Sequence, residues 1–218
     1  MVFGEGLPDN VKKEFEIYPT ILGELLFYRG LNTFAEAEDF LNSDYKKGTF
    51  DPFLIKGMEL TVKRILEAIK KNQKIMIYSD YDADGIPGAV ILSDFFKKIG
   101  FLNFQNYIPN RLQEGYGLNT KAIDGFITEK IDVLITIDCG ITDSEEVKLA
   151  QDKGIDVIIT DHHLVGDELP SALVILNSKQ KDDDYPDDML CGAGVVYKLI
   201  QALIEKGDFN LVKGWEKW

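Results

Sequence analysis

The 218 residues carry 37 acidic side chains against 24 Lys and Arg, a formal net charge of −13, which argues against a general electrostatic grip on nucleic acid. Hydrophobic residues at 45% and charged residues at 28% are those of a soluble globular protein with a sizeable core, and no apolar run reaches membrane-spanning length. The start, Met1-Val2-Phe3-Gly4-Glu5, lacks the basic and apolar stretches of a secretory signal, and Cys139 and Cys191 can pair only once; a disulfide scaffold is not expected, and a cytoplasmic location is.

Helical periodicity predicts helices over 21–28, 32–41 and 54–71, the second capped by Asn32 or Thr33, with a loop over 44–52. Residues 1–72 are read as a helical N-terminal region without evident chemistry; Arg29 could meet a phosphate, but a surface ion pair explains it more simply. From Lys74 onward strand and helix alternate. Strands are predicted over 74–79, 103–108, 132–137, 155–160 and, shorter, 173–176. Helices are predicted over 88–99, 119–129 and 143–153, and from Cys191 to Glu205. Residues 73–218 are therefore read as an α/β domain, a mostly parallel β-sheet flanked by helices. The tail, 209–218, takes no assignment.

Three predicted strands run directly into groups able to ligate a metal. The first ends in Asp80-Tyr81-Asp82-Ala83-Asp84-Gly85, the third in Asp138-Cys139-Gly140, the fourth in Asp161-His162-His163. Alone, the first stretch reads equally well as a solvated acidic turn. In a parallel sheet, however, the C-terminal ends of the strands share one edge, where such sheets place their ligands, and both histidines of the chain sit there. Asp82, Asp84, Asp138 and His162 are the candidate ligands, with Asp80, Asp161 and His163 as further candidates. Carboxylates mixed with imidazole suit Mn²⁺ or Mg²⁺ better than Zn²⁺. The number of acids suggests two ions with Asp138 as a bridge, an arrangement that activates water for in-line attack on a phosphoryl group. His163 either stabilises charge on the reacting phosphate or protonates the leaving oxygen, or else hydrogen-bonds a ligand from behind. Two weaker signals accompany these. Gly192-Ala193-Gly194 opens a helix, either as a phosphate cradle or as a plain turn. Arg111 lies in a polar loop, either forked onto a phosphate or merely solvated.

The three motifs, Asp80 to Gly85, Ile137-Asp138-Cys139-Gly140-Ile141 and Asp161-His162-His163, resemble in order those of the DHH phosphoesterase superfamily. Within it, Tyr107-Ile108-Pro109-Asn110-Arg111, Glu114-Gly115-Tyr116-Gly117-Leu118-Asn119 and Cys191-Gly192-Ala193-Gly194-Val195 resemble the RecJ-type single-strand-specific 5′→3′ DNA exonucleases, as do Phe27-Tyr28-Arg29-Gly30-Leu31 and Asp51-Pro52-Phe53. The resemblance implies two Mn²⁺ held by Asp82, Asp84, Asp138 and His162, with Mg²⁺ as a substitute. It implies His163 at the scissile phosphate, Asp161 beside it in catalysis, and Arg111 with the turn of Gly192, Ala193 and Gly194 on the nucleic-acid backbone. Single-stranded DNA is the implied substrate, in repair and recombination, with a single-strand-binding protein or helicase as partner, no membrane, and a monomeric chain. Two departures stand out. Tyr78 occupies the place where many members carry a histidine, so one ion would have a weaker shell, or Asp80 or a water would substitute. A further aspartate ligand, a second domain across a cleft and an oligonucleotide-binding fold belong to the family pattern downstream of Trp218, so this chain alone is expected to be weakly active or inactive. A DHH phosphoesterase acting on short oligoribonucleotides, cyclic dinucleotides or pyrophosphate, and a non-catalytic DHH scaffold, are the alternatives. The scaffold reading is disfavoured by the presence of all four principal ligands.

Overall fold

A computed structural model describes residues 6–211; the start at 1–5 and the tail at 212–218 lie outside the described residues. The chain packs as two compact units, one ending at Phe50 and the other beginning at Asp51. The sequence places the boundary at residue 72. The difference is helix α5 (Met58–Lys70), whose apolar face, Met58, Val62 and Ile65, lies in the core of the sheet.

The first unit holds α1 (Asp9–Glu14), α2 (Thr20–Tyr28), α3 (Phe34–Leu41) and a single turn, α4 (Tyr45–Gly48), inside the predicted loop. Leu7, Val11, Phe15, Leu26 and Ala37 form its core. The cap of α3 is Thr33: its side chain accepts from Glu36 N at 3.3 Å, and the Glu36 carboxylate accepts from Thr33 N at 3.0 Å. This reciprocal pair satisfies donors that a helix start leaves open.

The second unit is a parallel sheet of β1 (Ile75–Ser79), β2 (Phe104–Tyr107), β3 (Val133–Ile137), β4 (Asp156–Thr160) and β5 (Val174–Leu176), in the order β2-β1-β3-β4-β5. Successive side chains of a strand point to opposite faces. Ile75 and Ile77 accordingly join Phe95, Phe96, Leu199 and Leu203 beneath α5, α6 (Gly85–Lys98) and α9 (Gly192–Lys206), whereas Met76 and Tyr78 join Phe126 and Val147 of α7 (Thr120–Thr128) and α8 (Ser144–Asp152). Both faces are covered, which is why the strands read as unbroken apolar runs. Among the described residues no helix is long and apolar enough to cross a membrane.

Register is what positions the functional edge. Ser79 pairs with Ile137, Ile137 with Thr160, and Thr160 with Leu176. The next residue of each strand, Asp80, Asp138, Asp161 and Asn177, is therefore level with its neighbours, about 5 Å apart at the backbone. The ladder continues by one step, with Asp80 N on Ile137 O at 3.1 Å, Asp138 N on Thr160 O at 2.9 Å and Asp161 N on Leu176 O at 3.0 Å. The chain leaves β1 for β2 on one side and returns for β3 on the other, so Asp80 and Asp138 flank the point where strand order reverses.

Helix α6 can lie close to β3 only because residue 88 is glycine: a Cβ there would stand 2.6 Å from Ile137 Cγ2, a branch buried in the sheet. Gly88→Ala is expected to destabilise the chain by about 1–3 kcal/mol through overpacking. Urea unfolding followed by circular dichroism checks this, and a loss below ~0.5 kcal/mol would show that α6 can move aside freely.

Candidate metal centre

The turn after β1 is built by its own acids. Asp82 Oδ1 accepts from Asp84 N at 2.7 Å and Gly85 N at 2.9 Å, bending the chain into α6. These backbone donors, Gly85 first, hold the Asp82 carboxyl below its ordinary range. Gly85 is required by the same turn, since a Cβ would lie 2.6 Å from Asp80 O. Asp80 is 5% exposed, and its Oδ1 has no hydrogen-bond donor among the described residues. Burial, opposed by a Tyr81 backbone bond and reinforced by the neighbouring Asp82 charge, raises its pKa.

Asp138 is central. It is 2% exposed and takes the left-handed conformation at φ +61°, a strained region that Asp tolerates better than most residues. Its Oδ1 lies 3.0 Å from His162 Nε2 and 3.9 Å from His163 Nδ1, yet it too has no hydrogen-bond donor. Burial, then repulsion from Asp84 and Asp82, pushes its pKa up to about 7. Asp138 belongs to two clusters whose ligand atoms lie within 4.8 Å of one another: one with Asp80 and Asp82, the other with His162 and His163. Buried carboxylate oxygens without donors, repelled by like charge and faced by imidazole nitrogens, fit a divalent cation.

Asp84 sits differently. Its two oxygens accept from Gly192 N at 2.6 Å and Ala193 N at 2.8 Å, and Oδ2 lies 3.4 Å from His162 Nε2. The turn of Gly192, Ala193 and Gly194, offered by the sequence to a nucleic-acid phosphate, thus gives its first two N–H groups to a carboxylate of the chain. A helix N-terminus favours an anion, and Asp84 supplies one. Gly192 permits the approach, because a Cβ there would stand 2.7 Å from the Asp138 Cβ, whereas Gly194 has only ordinary contacts.

Asp161, expected beside His163 in catalysis, lies behind the imidazole. It is fully buried; Oδ1 accepts from His162 N at 2.7 Å and His163 N at 3.1 Å and faces His163 Nδ1 at 2.8 Å, while Oδ2 accepts from Ile141 N at 3.1 Å. The carboxylate is spent on shaping the turn and orienting the imidazole. Burial pulls the His163 pKa down, but the bond to Asp161 and the charges of Asp161 and Asp138 carry it above its ordinary value. His163 itself remains half exposed, with 47% of its side chain accessible.

Arg111 is held beside the centre, its guanidinium carbon 5.2 Å from the ring centre of Tyr81. Its loop is fastened by Glu114, which accepts from Asn110 N at 2.7 Å and from the Tyr107 hydroxyl, and by Tyr78, whose buried hydroxyl donates to Gly117 O at 2.7 Å. Tyr78 therefore supports the loop from within the core. Sequence reasoning missed Tyr116, whose hydroxyl donates to Asp138 O at 3.1 Å and lies 3.3 Å from His163 Nδ1. It also missed Asn177, although Asn177 follows its strand as Asp80, Asp138 and Asp161 follow theirs.

Removing one charge tests the crowding. At pH 8 in EDTA, Asp138→Asn is expected to melt about 2–4 °C above the parent chain, near 1 kcal/mol, and to lose the stabilisation that Mn²⁺ confers on the parent. A lowered melting temperature, or an undiminished response to Mn²⁺, would contradict the geometry.

Residues 74–214 match the N-terminal domain of the DHH family. The chain is 40% identical over 199 residues to the single-stranded-DNA-specific exonuclease RecJ of Bacillus subtilis (strain 168), covering 90% of this chain and 25% of that protein. A crystal structure of exonuclease RecJ bound to manganese is similar at 34% identity and a TM-score of 0.65, covering 71% of this chain and 39% of that one. RecJ of Thermus thermophilus in complex with Mn²⁺ is similar at 26% identity and a TM-score of 0.69, covering 92% and 28%. The chain thus spans about a quarter to a third of the length of the curated relatives it matches. With its three motifs on one sheet edge and the match across residues 74–214, the chain belongs to the DHH family.

Proposed function

We propose that the chain carries the metal centre of a single-strand-specific 5′→3′ DNA exonuclease of the RecJ type, a Mn²⁺-dependent phosphodiesterase of cytoplasmic DNA repair and recombination. The observation that carries this reading is the sharing of Asp138 between two ligand clusters, with buried oxygens of Asp80 and Asp138 left without donors. Asp80, Asp82 and Asp138 would hold one ion; Asp138, His162 and Asp84 would hold the other. Such ions supply a water of lowered pKa and neutralise charge on the reacting phosphoryl group.

The protein's own residues have separate tasks. Asp161 keeps the Nδ1 proton of His163 on its carboxylate side, which leaves Nε2 for the substrate. The raised His163 pKa favours the imidazolium, able to hold a phosphate oxygen or to give a proton to the leaving oxygen. Arg111, stacked on Tyr81, presents a planar fork to a neighbouring phosphate.

The test is Mn²⁺-dependent release of nucleotide from 5′-labelled single-stranded DNA by the 218-residue chain. A slow release is expected, starting at the 5′ end and reduced a further ~10²–10⁴-fold in His163→Ala. Arg111→Ala is expected to raise KM about tenfold with kcat little changed. Attack confined to cyclic dinucleotides or short oligoribonucleotides would assign the centre to a small substrate instead. Failure to bind Mn²⁺ would leave only a scaffold.

A further inference from the structure

Cations are scarce at the acidic edge. Arg111 lies on the β1 side, near enough for its charge to bear on Asp80. Beyond β3, the ends of β4 and β5 bring a second one. Asn177, fully buried and the first residue after β5, donates through Nδ2 to His163 O at 2.9 Å and accepts Lys179 N on Oδ1 at 2.9 Å. These bonds tie Lys179 to the imidazole turn, and its Nζ donates to His162 O at 2.5 Å. The charge is close enough to act on the His163 imidazole.

The pairing is unusual for its surroundings. Asp84, Asp138 and Asp161 all lie around the two histidines, yet among the described residues no carboxylate is within ion-pair distance of Lys179. An ammonium has three N–H donors, and the His162 carbonyl takes one. Two remain, on a charged group held by a buried asparagine beside a half-exposed imidazole.

We propose that Lys179 is a phosphate-contacting residue: its remaining N–H groups hold a non-bridging oxygen of a nucleic-acid phosphodiester lying against His163, on the flank of the centre away from Arg111. This rests on reading the centre as a nucleic-acid phosphodiesterase. Arg111 and Lys179 then bracket the acids, and a strand crossing the edge meets a cation on either side of the reacting position. Local positive charge is thereby supplied where a chain of net charge −13 needs it.

The experiment compares the full chain with Lys179→Met and Lys179→Arg in Mn²⁺. The probe is a 5′-phosphorylated oligothymidylate with ordinary phosphodiester linkages, labelled at its 3′ end, followed by fluorescence anisotropy across a salt series and read before cleavage accumulates. Lys179→Met is expected to bind about tenfold more weakly. Its dependence of log K on log salt is expected to be shallower by about 0.7, the value of one released counterion on a single strand. Lys179→Arg should keep the parental slope, and Mn²⁺ affinity, titrated separately, should be unchanged in both. An unchanged slope in Lys179→Met, or weaker binding that simply follows weaker Mn²⁺ binding, would make Lys179 a strut for the His162 carbonyl and overturn the assignment. If the parent chain binds Mn²⁺ but not the oligonucleotide, the nucleic-acid reading falls, and Lys179 with it.

Discussion

Like-charge crowding is the constraint on which the second unit depends. Asp80, Asp82, Asp84 and Asp138 converge on one sheet edge, and each ionised carboxylate disfavours ionisation of the next. The chain offsets this unequally. Asp82 takes two N–H groups from its own turn, and Asp84 takes two from the start of α9. Asp80 and Asp138 keep buried oxygens with no donor at all among the described residues. Backbone N–H groups thus relieve Asp82 and Asp84 in part, while Asp80 and Asp138 are the two whose charge most needs a cation. That division separates a metal centre from an acidic turn more sharply than the number of carboxylates does.

Steric permission comes from a few positions without side chains. Gly85 lets the β1 turn close over Asp80, Gly88 lets α6 settle on Ile137, and Gly192 lets α9 reach Asp138. Each brings one helix N-terminus or turn against the sheet edge. Asp138 meets the same demand with a left-handed backbone rather than a glycine, because here the carboxylate itself is needed. Asn72, Lys130 and Asp182 share this backbone conformation among the described residues, but Asp138 is the one that holds it inside both ligand clusters, where such strain fits a functional position.

Much of this was legible in the sequence, for a physical reason. Strands buried on both faces must be apolar throughout, so 132–137 and 155–160 announce themselves and place Asp138 and Asp161 at strand ends. Helix α6 begins at Gly85, three residues ahead of the predicted 88; Gly and Pro have poor helix propensity, although a first turn accepts proline because its missing N–H would have no partner there. The amphipathic period of α5 was equally plain, but a period says only that a face is buried, not against which body. The unit boundary at Phe50 rather than residue 72 follows from packing that no local pattern encodes.

Side-chain roles were less legible than positions. Asp138 and Asp161 both follow apolar strands, and only the local backbone distinguishes them. Beyond Asp161 the chain folds back so that N–H groups of His162, His163 and Ile141 converge on its carboxylate. A carboxylate so surrounded is already stabilised and gains little from a cation, whereas Asp138, with an oxygen facing imidazole nitrogens and no donor, gains much. The same local view removes the objection raised by the net charge. Interactions between exposed charges are largely screened beyond about 8–10 Å at physiological salt, so the excess acids elsewhere on the surface act only weakly at the sheet edge. What an approaching phosphate meets there is set by the groups within that range: carboxylates arranged to bind cations, a His163 biased toward its charged form, and Arg111 and Lys179 on either flank. An acidic chain and a phosphodiester substrate are compatible because the relevant charge is local.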